Sequence, residues 1–361
     1  MGKKSNSWIE KHRYVYRLFS GRMQAQALLT ALELRVFDHL SSPLSSEELA
    51  AALQSHPVNT EVLLDSLTAV ELLEKKGGQY CNVQCADELL NSGSRNYIGK
   101  MLLLMHRMSA GVVSDMTRLV QDGPLADNSG FGNEEIWIDY ARTVGNYHRG
   151  NMMQDIAGIV SGIEGFSSFN KMLDLGGGPG LHCIGIVSES ESMKGVVFDR
   201  PGVLRVAEEF IAEYGMRDRI SVKSGDYLTD SIGEGYDLVW ASATLNFARS
   251  DLDRLMRKIH DALVPGGVFV SFAEGLTGEG TKPDFYVLEN LSYALTGFNQ
   301  VFRKGEIASA MRRVGFASVE SITVETPMMP MEMDIARRKS DKGGGQVLSG
   351  MRVVTRTRSG I

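Results

Sequence analysis

The chain has 361 residues, of which 43% are hydrophobic and 23% charged, with a formal net charge of −6 at pH 7. That length holds two domains with sizeable cores, in the ordinary balance of a globular protein. The acidic balance supplies no general field for nucleic acid, no apolar run reaches bilayer length, and the opening MGKKSNSWIEKHRY lacks the apolar centre of a secretory leader.

Residues 8–40 carry apolar side chains at three- and four-residue spacing without proline, which predicts helices. Ser41 to Pro43 breaks them. Ser45-Ser46-Glu47-Glu48 then has the polar caps and early acids of a helix start. Pro57-Val58-Asn59-Thr60 resets the chain, and residues 61–76 read as a further helix. Gly77-Gly78 suits a hairpin turn between LLEKK and QYCNV. Helices followed by a small hairpin form a winged-helix pattern. Its second short helix is acidic and leucine-rich, so it suits packing or dimerisation better than phosphate contact. Cys81, Cys85 and Cys183 are the only cysteines. They offer neither a disulfide framework nor zinc-ligand spacing, so a reducing, cytoplasmic setting without a structural metal is expected.

Residues 86–122 read as helix, with His106 on an apolar face of Met101, Leu104, Met105 and Met108 where it suits packing. QDGPLADNSGFGNEE has loop composition. The next helical stretch, residues 136–160, carries Tyr140, Tyr147 and His148 and leads into KMLDLGGGPG at residues 171–180. There a short apolar strand ends in a glycine turn and the helix-like LHCIGIVSES follows. Glycines let backbone approach a ligand without Cβ interference. The pattern joins Asp174 to Gly176, Gly178 and Gly180, and Leu181 stands where a dinucleotide fingerprint requires its last glycine.

Strands and helices then alternate as in a doubly wound parallel sheet. The predicted strands are KMLDL, GVVFD, ISVKS, YDLVWAS, GVFVSFAE and SVESITVE. Asp199 ends the second of them, where a carboxylate accepts both ribose hydroxyls. Gly225-Asp226-Tyr227 follows the third, placing an acid for an adenine amino group and Tyr227 or Leu228 to pack on the ring. Asp199 and Asp226 equally suit turn caps. The Met-rich PMMPMEM and the residues after it read as a surface loop, and MRVVTRTRSG as a possible last strand.

LDLGGGPG, FDRPGV, SGDYL, YDLVWAS, DALVPGG and FRKGEIASAMRRVGF, with LLTALELRVFDHL and LLEKKGGQY nearer the N-terminus, resemble the small-molecule O-methyltransferase family of caffeic-acid, hydroxyindole and polyketide type. The resemblance covers roughly residues 10 to 320. It implies an α/β fold: a C-terminal Rossmann-like class I methyltransferase domain behind an N-terminal, mostly helical, winged-helix dimerisation domain. The domains would be residues 1–95 for dimerisation, 96–160 for linking and pocket-forming helices, and 161–361 for methyl transfer. It implies S-adenosyl-L-methionine held by Asp174, Gly176, Gly177, Gly178, Asp199, Arg200, Gly225, Asp226, Tyr227 and Ala241. It also implies a homodimer and a small-molecule acceptor, with no nucleic acid or membrane as partner.

One departure from the pattern bears on mechanism. The family's His-Asp-Trp, whose His deprotonates a phenol, falls here on Leu245-Asn246-Phe247, within about one residue. The acid that steers that His falls on TGFNQVFRKGE, where Asn299 and Gln300 stand. Three outcomes are open. The acceptor arrives ready to react, as a thiolate, amine, carbon, metalloid or pre-ionised hydroxyl; thiols ionise more readily than phenols. A substitute base acts on a hydroxyl, with His148 and Tyr293 as candidate catalytic residues and His106 and Tyr147 behind them. Or the scaffold binds the cofactor without methylating.

Overall fold

The computed structural model describes residues 8–124, 134–298 and 301–340. The chain divides into two compact units, Met1–Met108 and Ser109–Ile361.

The first unit contains α1 (Trp8–Glu33), α2 (Val36–His39), β1 (Leu44–Ser45), α3 (Ser46–Leu53), α4 (Pro57–Ala69), β2 (Leu73–Lys76), β3 (Gln79–Asn82) and α5 (Gln84–Leu89). The strands pair in the order β1-β3-β2. Ser45 caps α3 through a capping box: its hydroxyl accepts the Glu48 N–H at 3.2 Å and Glu48 Oε2 accepts the Ser45 N–H at 2.8 Å. The helix expected over residues 61–76 is displaced. Pro57 opens it, because proline's missing N–H is no loss at a first helical position. Glu71, at a positive φ of 62°, follows its end, and the LEKK segment becomes a hairpin strand. Lys75 and the buried Tyr80 both donate to Asp65 Oδ1 at 2.7 Å and tie this hairpin to α4. Phe37, Leu40, Leu49, Leu64, Leu67 and Tyr80 form the core. Tyr16, Phe19 and Met23 of α1 stay exposed. The helix expected through residues 86–122 is broken by turns before α6 (Gly99–Asp122) begins.

The second unit holds α7 (Glu134–His148), α8 (Asn151–Ser161), β4 (Lys171–Leu175), α9 (Leu181–Ser188), β5 (Lys194–Asp199), α10 (Pro201–Glu213), β6 (Ile220–Ser224), β7 (Tyr236–Ser242), α11 (Leu252–Ala262) and β8 (Leu263–Ala273). After these come α12 (Asp284–Leu295), α13 (Glu306–Arg313), β9 (Ser318–Val324) and β10 (Met331–Arg337). The seven strands run in the order β6-β5-β4-β7-β8-β10-β9. β4 pairs in parallel with both β5 and β7, so the order reverses at β4 and opens a crevice at the carboxyl edge. Successive residues serve opposite faces. Met172 and Leu238 enter one core and Leu173 and Val239 the other.

The Met-rich segment read as a loop keeps that form only through Pro330, and Met331–Arg337 instead form β10. It runs antiparallel to β8 and β9 between them. Met331, Met333 and Ile335 fill the core, and the buried Asp334 accepts a hydrogen bond from Ser321. Acids and arginines masked this strand: Glu332 is matched by the Gly305 N–H at 2.9 Å, and Arg337 donates to Gly266 and Glu164 carbonyls. MRVVTRTRSG lies outside the described residues.

Candidate active site

The glycine turn after β4 is fixed by its backbone. The N–H groups of Gly176 and Gly177 donate to Phe198 O at 2.8 and 3.2 Å, and Gly180 N–H donates to Gly177 O at 2.8 Å as α9 opens. Gly176 has φ of 63°, and a Cβ there would collide with the Thr244 side chain. Gly178, at φ of 53°, has nothing within 4 Å of where a Cβ would stand, so its backbone is open to approach. Asp174 lies beneath the loop, 2% exposed, and a Cβ on Gly177 would come within 2.7 Å of its carboxyl carbon. Burial and then the negative charge of Asp199 push the Asp174 carboxyl up to about 7, against the opposing Cys183 N–H. Its Oδ2 has no hydrogen-bond partner.

Asp199 stands at the carboxyl end of β5. Its oxygens accept the Gly178 N–H at 2.8 Å and the Arg200 N–H at 2.7 Å. Burial raises its carboxyl above the ordinary range, while these N–H groups and the Arg200 charge pull it back. The Arg200 side chain is exposed. Gly225 N–H donates to Asp199 O at 3.1 Å, joining the third strand end to the second. Asp226 Oδ1 accepts the Leu228 N–H at 2.9 Å, which is a turn-forming role.

The Tyr227 hydroxyl donates to Thr244 O at 2.8 Å, and Thr244 Oγ1 donates to the Tyr227 oxygen at 3.1 Å. Lys258 Nζ donates to the carbonyls of Tyr227 at 2.8 Å and Asp230 at 2.9 Å, pinning the same loop. Thr244 touches the glycine turn and Tyr227 at once, so it knits together the loops after β4, β6 and β7. Its ordinary surroundings in the sequence gave no sign of this. The Ala241 side chain is buried in the core behind this edge.

Two of the candidate bases, His148 and Tyr147, lie at the end of α7. His148 stacks on His182, ring centroids 4.5 Å apart, and His182 meets Trp240 edge-on at 5.3 Å. Burial pushes the His148 imidazole down to about 4 and the His182 imidazole well below its ordinary range, so both are neutral at neutral pH. His182 is 6% exposed and its Nε2 has no partner. Its position directly after the glycine turn was the available sequence signal. Tyr147 packs beside His148 at 5.5 Å. His106 lies on α6, in the first unit.

Leu245, 1% exposed, belongs to the core, and its neighbour Asn246 has a buried side-chain oxygen without a donor. Phe247 meets Trp137 edge-on at 5.4 Å and Phe298 at 5.9 Å, and Trp137 in turn meets Tyr140 at 5.8 Å. Tyr293 is half-buried on α12, its hydroxyl raised by burial and by the nearby Glu289. Glu274, directly after β8, acts electrostatically on Tyr140 and Tyr286. The sequence reading overlooked it. Asn299 and Gln300 lie outside the described residues.

A glycine turn at the reversal of a parallel sheet, with a carboxylate at the next strand end, defines a Rossmann-like nucleoside-binding α/β class. Family comparison narrows it. An O-methyltransferase domain matches residues 148–345 and an O-methyltransferase dimerisation domain residues 16–92. The chain belongs to the O-methyltransferase family, enzymes that draw their methyl group from S-adenosylmethionine. The chain is 28% identical over 295 residues to the N,N-dimethyltransferase OxyT of Streptomyces rimosus, covering 80% of this chain and 85% of that one. It is 26% identical to acetylserotonin O-methyltransferase of Bos taurus, covering 83% and 91% respectively. The human N-acetylserotonin methyltransferase structure shares the fold, with a TM-score of 0.75 at 23% identity over 94% of this chain and all of that one.

Proposed function

We propose that this protein transfers a methyl group from S-adenosylmethionine to a small-molecule acceptor that needs no histidine base at the end of β7. The observation that carries this reading is the coupling of Asp199 to the glycine turn through the Gly178 N–H at 2.8 Å. A carboxylate fixed at that strand end is set to accept ribose hydroxyls, while the open backbone at Gly178 admits the ligand. The residues present fit the cofactor. Gly176 and Gly177 hold the turn, Asp174 supports it from beneath with one oxygen free for a donor, and Arg200 and Gly225 flank Asp199. Asp226 would accept from the adenine amino group, Tyr227 or Leu228 would pack on the ring, and Ala241 would back the site from the core. Bound S-adenosylmethionine supplies an electrophilic methyl on a sulfonium, so the protein's task is chiefly positioning. Leu245 is buried and Asn246 carries no basic nitrogen, which supports an acceptor that arrives with a lone pair or as an anion.

A second reading, methylation of a hydroxyl with His148 as base, draws on the neutral imidazole stack. Gly145, one turn before His148, packs so closely on the glycine turn that a Cβ there would meet the Pro179 side chain at 3.2 Å. On this reading residues 1–95 would serve dimerisation in a homodimer, 96–160 would link the domains, and 161–361 would carry the cofactor.

Purified protein incubated with methyl-labelled S-adenosylmethionine and a panel of thiols, amines and phenols tests these readings. Label transfer that survives His148→Ala supports the first, and transfer confined to phenols and lost in His148→Ala supports the second. Cofactor binding without label transfer to any acceptor would instead indicate a non-methylating binding protein.

A further inference from the structure

The acceptor side of the crevice has a consistent chemistry. Trp137, Tyr140, Phe247 and Phe298 form a continuous run of ring contacts from α7 to the end of α12. Into this setting β8 delivers Glu274, the residue after its last hydrogen-bonded position, half-buried and close enough to Tyr140 and Tyr286 to affect both electrostatically. Among the described residues no lysine, arginine or histidine forms an ion pair with Glu274. Arg249, the cation felt by Tyr286, is engaged with Glu306 at 3.1 Å. β8 lies beside β7, whose strand end leads to Asn246, and the buried side-chain oxygen of Asn246 is an acceptor without a donor.

Aromatic rings, a carboxylate without a counter-charge and an orphaned amide oxygen all ask for the same kind of ligand. That ligand brings hydrogen-bond donors and positive charge and offers an apolar body. Aromatic rings attract cations through their quadrupole, most strongly where water is excluded. A half-buried carboxylate without a counter-charge is costly, and a ligand cation relieves it. A phenol or carboxylic acid would place a developing negative charge against Glu274 and forgo the cation attraction of the rings.

We infer that the acceptor is an amine on an apolar, aromatic-sized body, held as its ammonium ion by Glu274 beside the rings of Trp137, Tyr140 and Phe247. Glu274 then takes one proton from the nitrogen, leaving the nitrogen lone pair for methylation, and returns that proton to solvent after turnover. Burial raises the Glu274 carboxyl and so suits it to hold that proton. The inference rests on the methyl-transfer reading above and narrows its acceptor to nitrogen.

The test uses the full-length protein saturated with S-adenosylhomocysteine, whose own binding is first measured by calorimetry. Failure of that binding overturns the methyl-transfer reading itself. With it in place, 2-phenylethylamine and tryptamine are titrated against their alcohol counterparts, 2-phenylethanol and tryptophol, at pH 7. Each amine is expected to bind at least about tenfold more tightly than its alcohol, the scale of one charge-assisted contact. Glu274→Gln, close in shape but uncharged, is expected to abolish that preference while leaving S-adenosylhomocysteine affinity unchanged. Glu274→Asp, which keeps the charge, retains part of it, and thermal melts of both variants check that the fold survives. Equal affinity for amine and alcohol, no saturable amine binding, or an amine preference that persists in Glu274→Gln overturns the amine inference and leaves cofactor binding intact.

Discussion

The imidazole of His148 lies over that of His182 with ring centroids 4.5 Å apart and planes inclined by 29°. One ring ends α7 and the other opens α9, so the stack joins the helix before the sheet to the helix that leaves the glycine turn. Burial lowers the pKa of both rings, and His148 adds to the lowering at His182.

That stack makes stability depend on pH. Folded His148 titrates at about 4 against 6.5 for an ordinary imidazole, so between those values the unfolded chain binds more protons than the folded one. Stability is therefore lost as pH falls through that window. His148→Phe keeps a ring in the stack and removes this dependence. The melting-temperature advantage of the unmodified protein over His148→Phe is expected to shrink from pH 6.5 to pH 4, and a constant difference would count against a buried neutral His148.

Asp199→Ala is expected to weaken S-adenosylmethionine binding by about 1–3 kcal/mol, because it removes charge-assisted hydrogen bonds. Calorimetry measures it. Unchanged affinity would show that Asp199 only caps the turn through Gly178 and Arg200.

Gly176→Ala meets two obstacles, a left-handed backbone and the side chain of Thr244. A loss of about 1–3 kcal/mol of stability is expected. Gly178→Ala meets only the first, with open space around its new methyl. It is expected to fold with a smaller loss and yet to lose cofactor affinity, because that methyl occupies the ligand's approach. Denaturant titration and calorimetry on both variants separate the two effects.

On α1, Tyr16 is 70% exposed, and Phe19 and Met23 each 62%, at helical spacing along one stripe. In a family with a dimerisation domain, such a stripe is expected to be covered by a second copy. Phe19→Asp combined with Met23→Asp is expected to shift the protein from dimer to monomer in sedimentation velocity. A monomeric unmodified protein would refute this.

Leu245→His would place an imidazole in the core among Leu173, Leu175 and Val239. It is expected to destabilise the protein by about 2–5 kcal/mol without creating phenol methylation. A thermal melt and a phenol assay decide it.

The cofactor half of the site was readable because each part sits next to a strong local signal. GVVFD ends in an acid and KMLDL and ISVKS run straight into glycine, so the turn residues stand at fixed distances from the strands. The acceptor half was not readable. Glu274, His182 and Thr244 matter through residues far away in sequence, and none stands in a marked pattern. The same holds for fold details. Residues 61–76 looked helical because leucines recur there, yet the pairing of β2 with β3 outweighs that local preference. β10 was hidden because its alternation is carried by methionines interrupted by Glu332 and Asp334, whose partners come from α13 and β9.

The insertion of β10 between β8 and β9 has a consequence for a chain emerging from the ribosome. Until residues 331–337 are made, β8 presents a bare row of amides and carbonyls, and β9 has nothing to pair with. Any stalled or prematurely terminated product ending before Met331 would therefore display an adhesive edge of buried-type valines and phenylalanines. Such fragments belong with chaperones and proteases, so a break in translation just before Met331 would lower the yield of folded protein even though the parallel strands are already made.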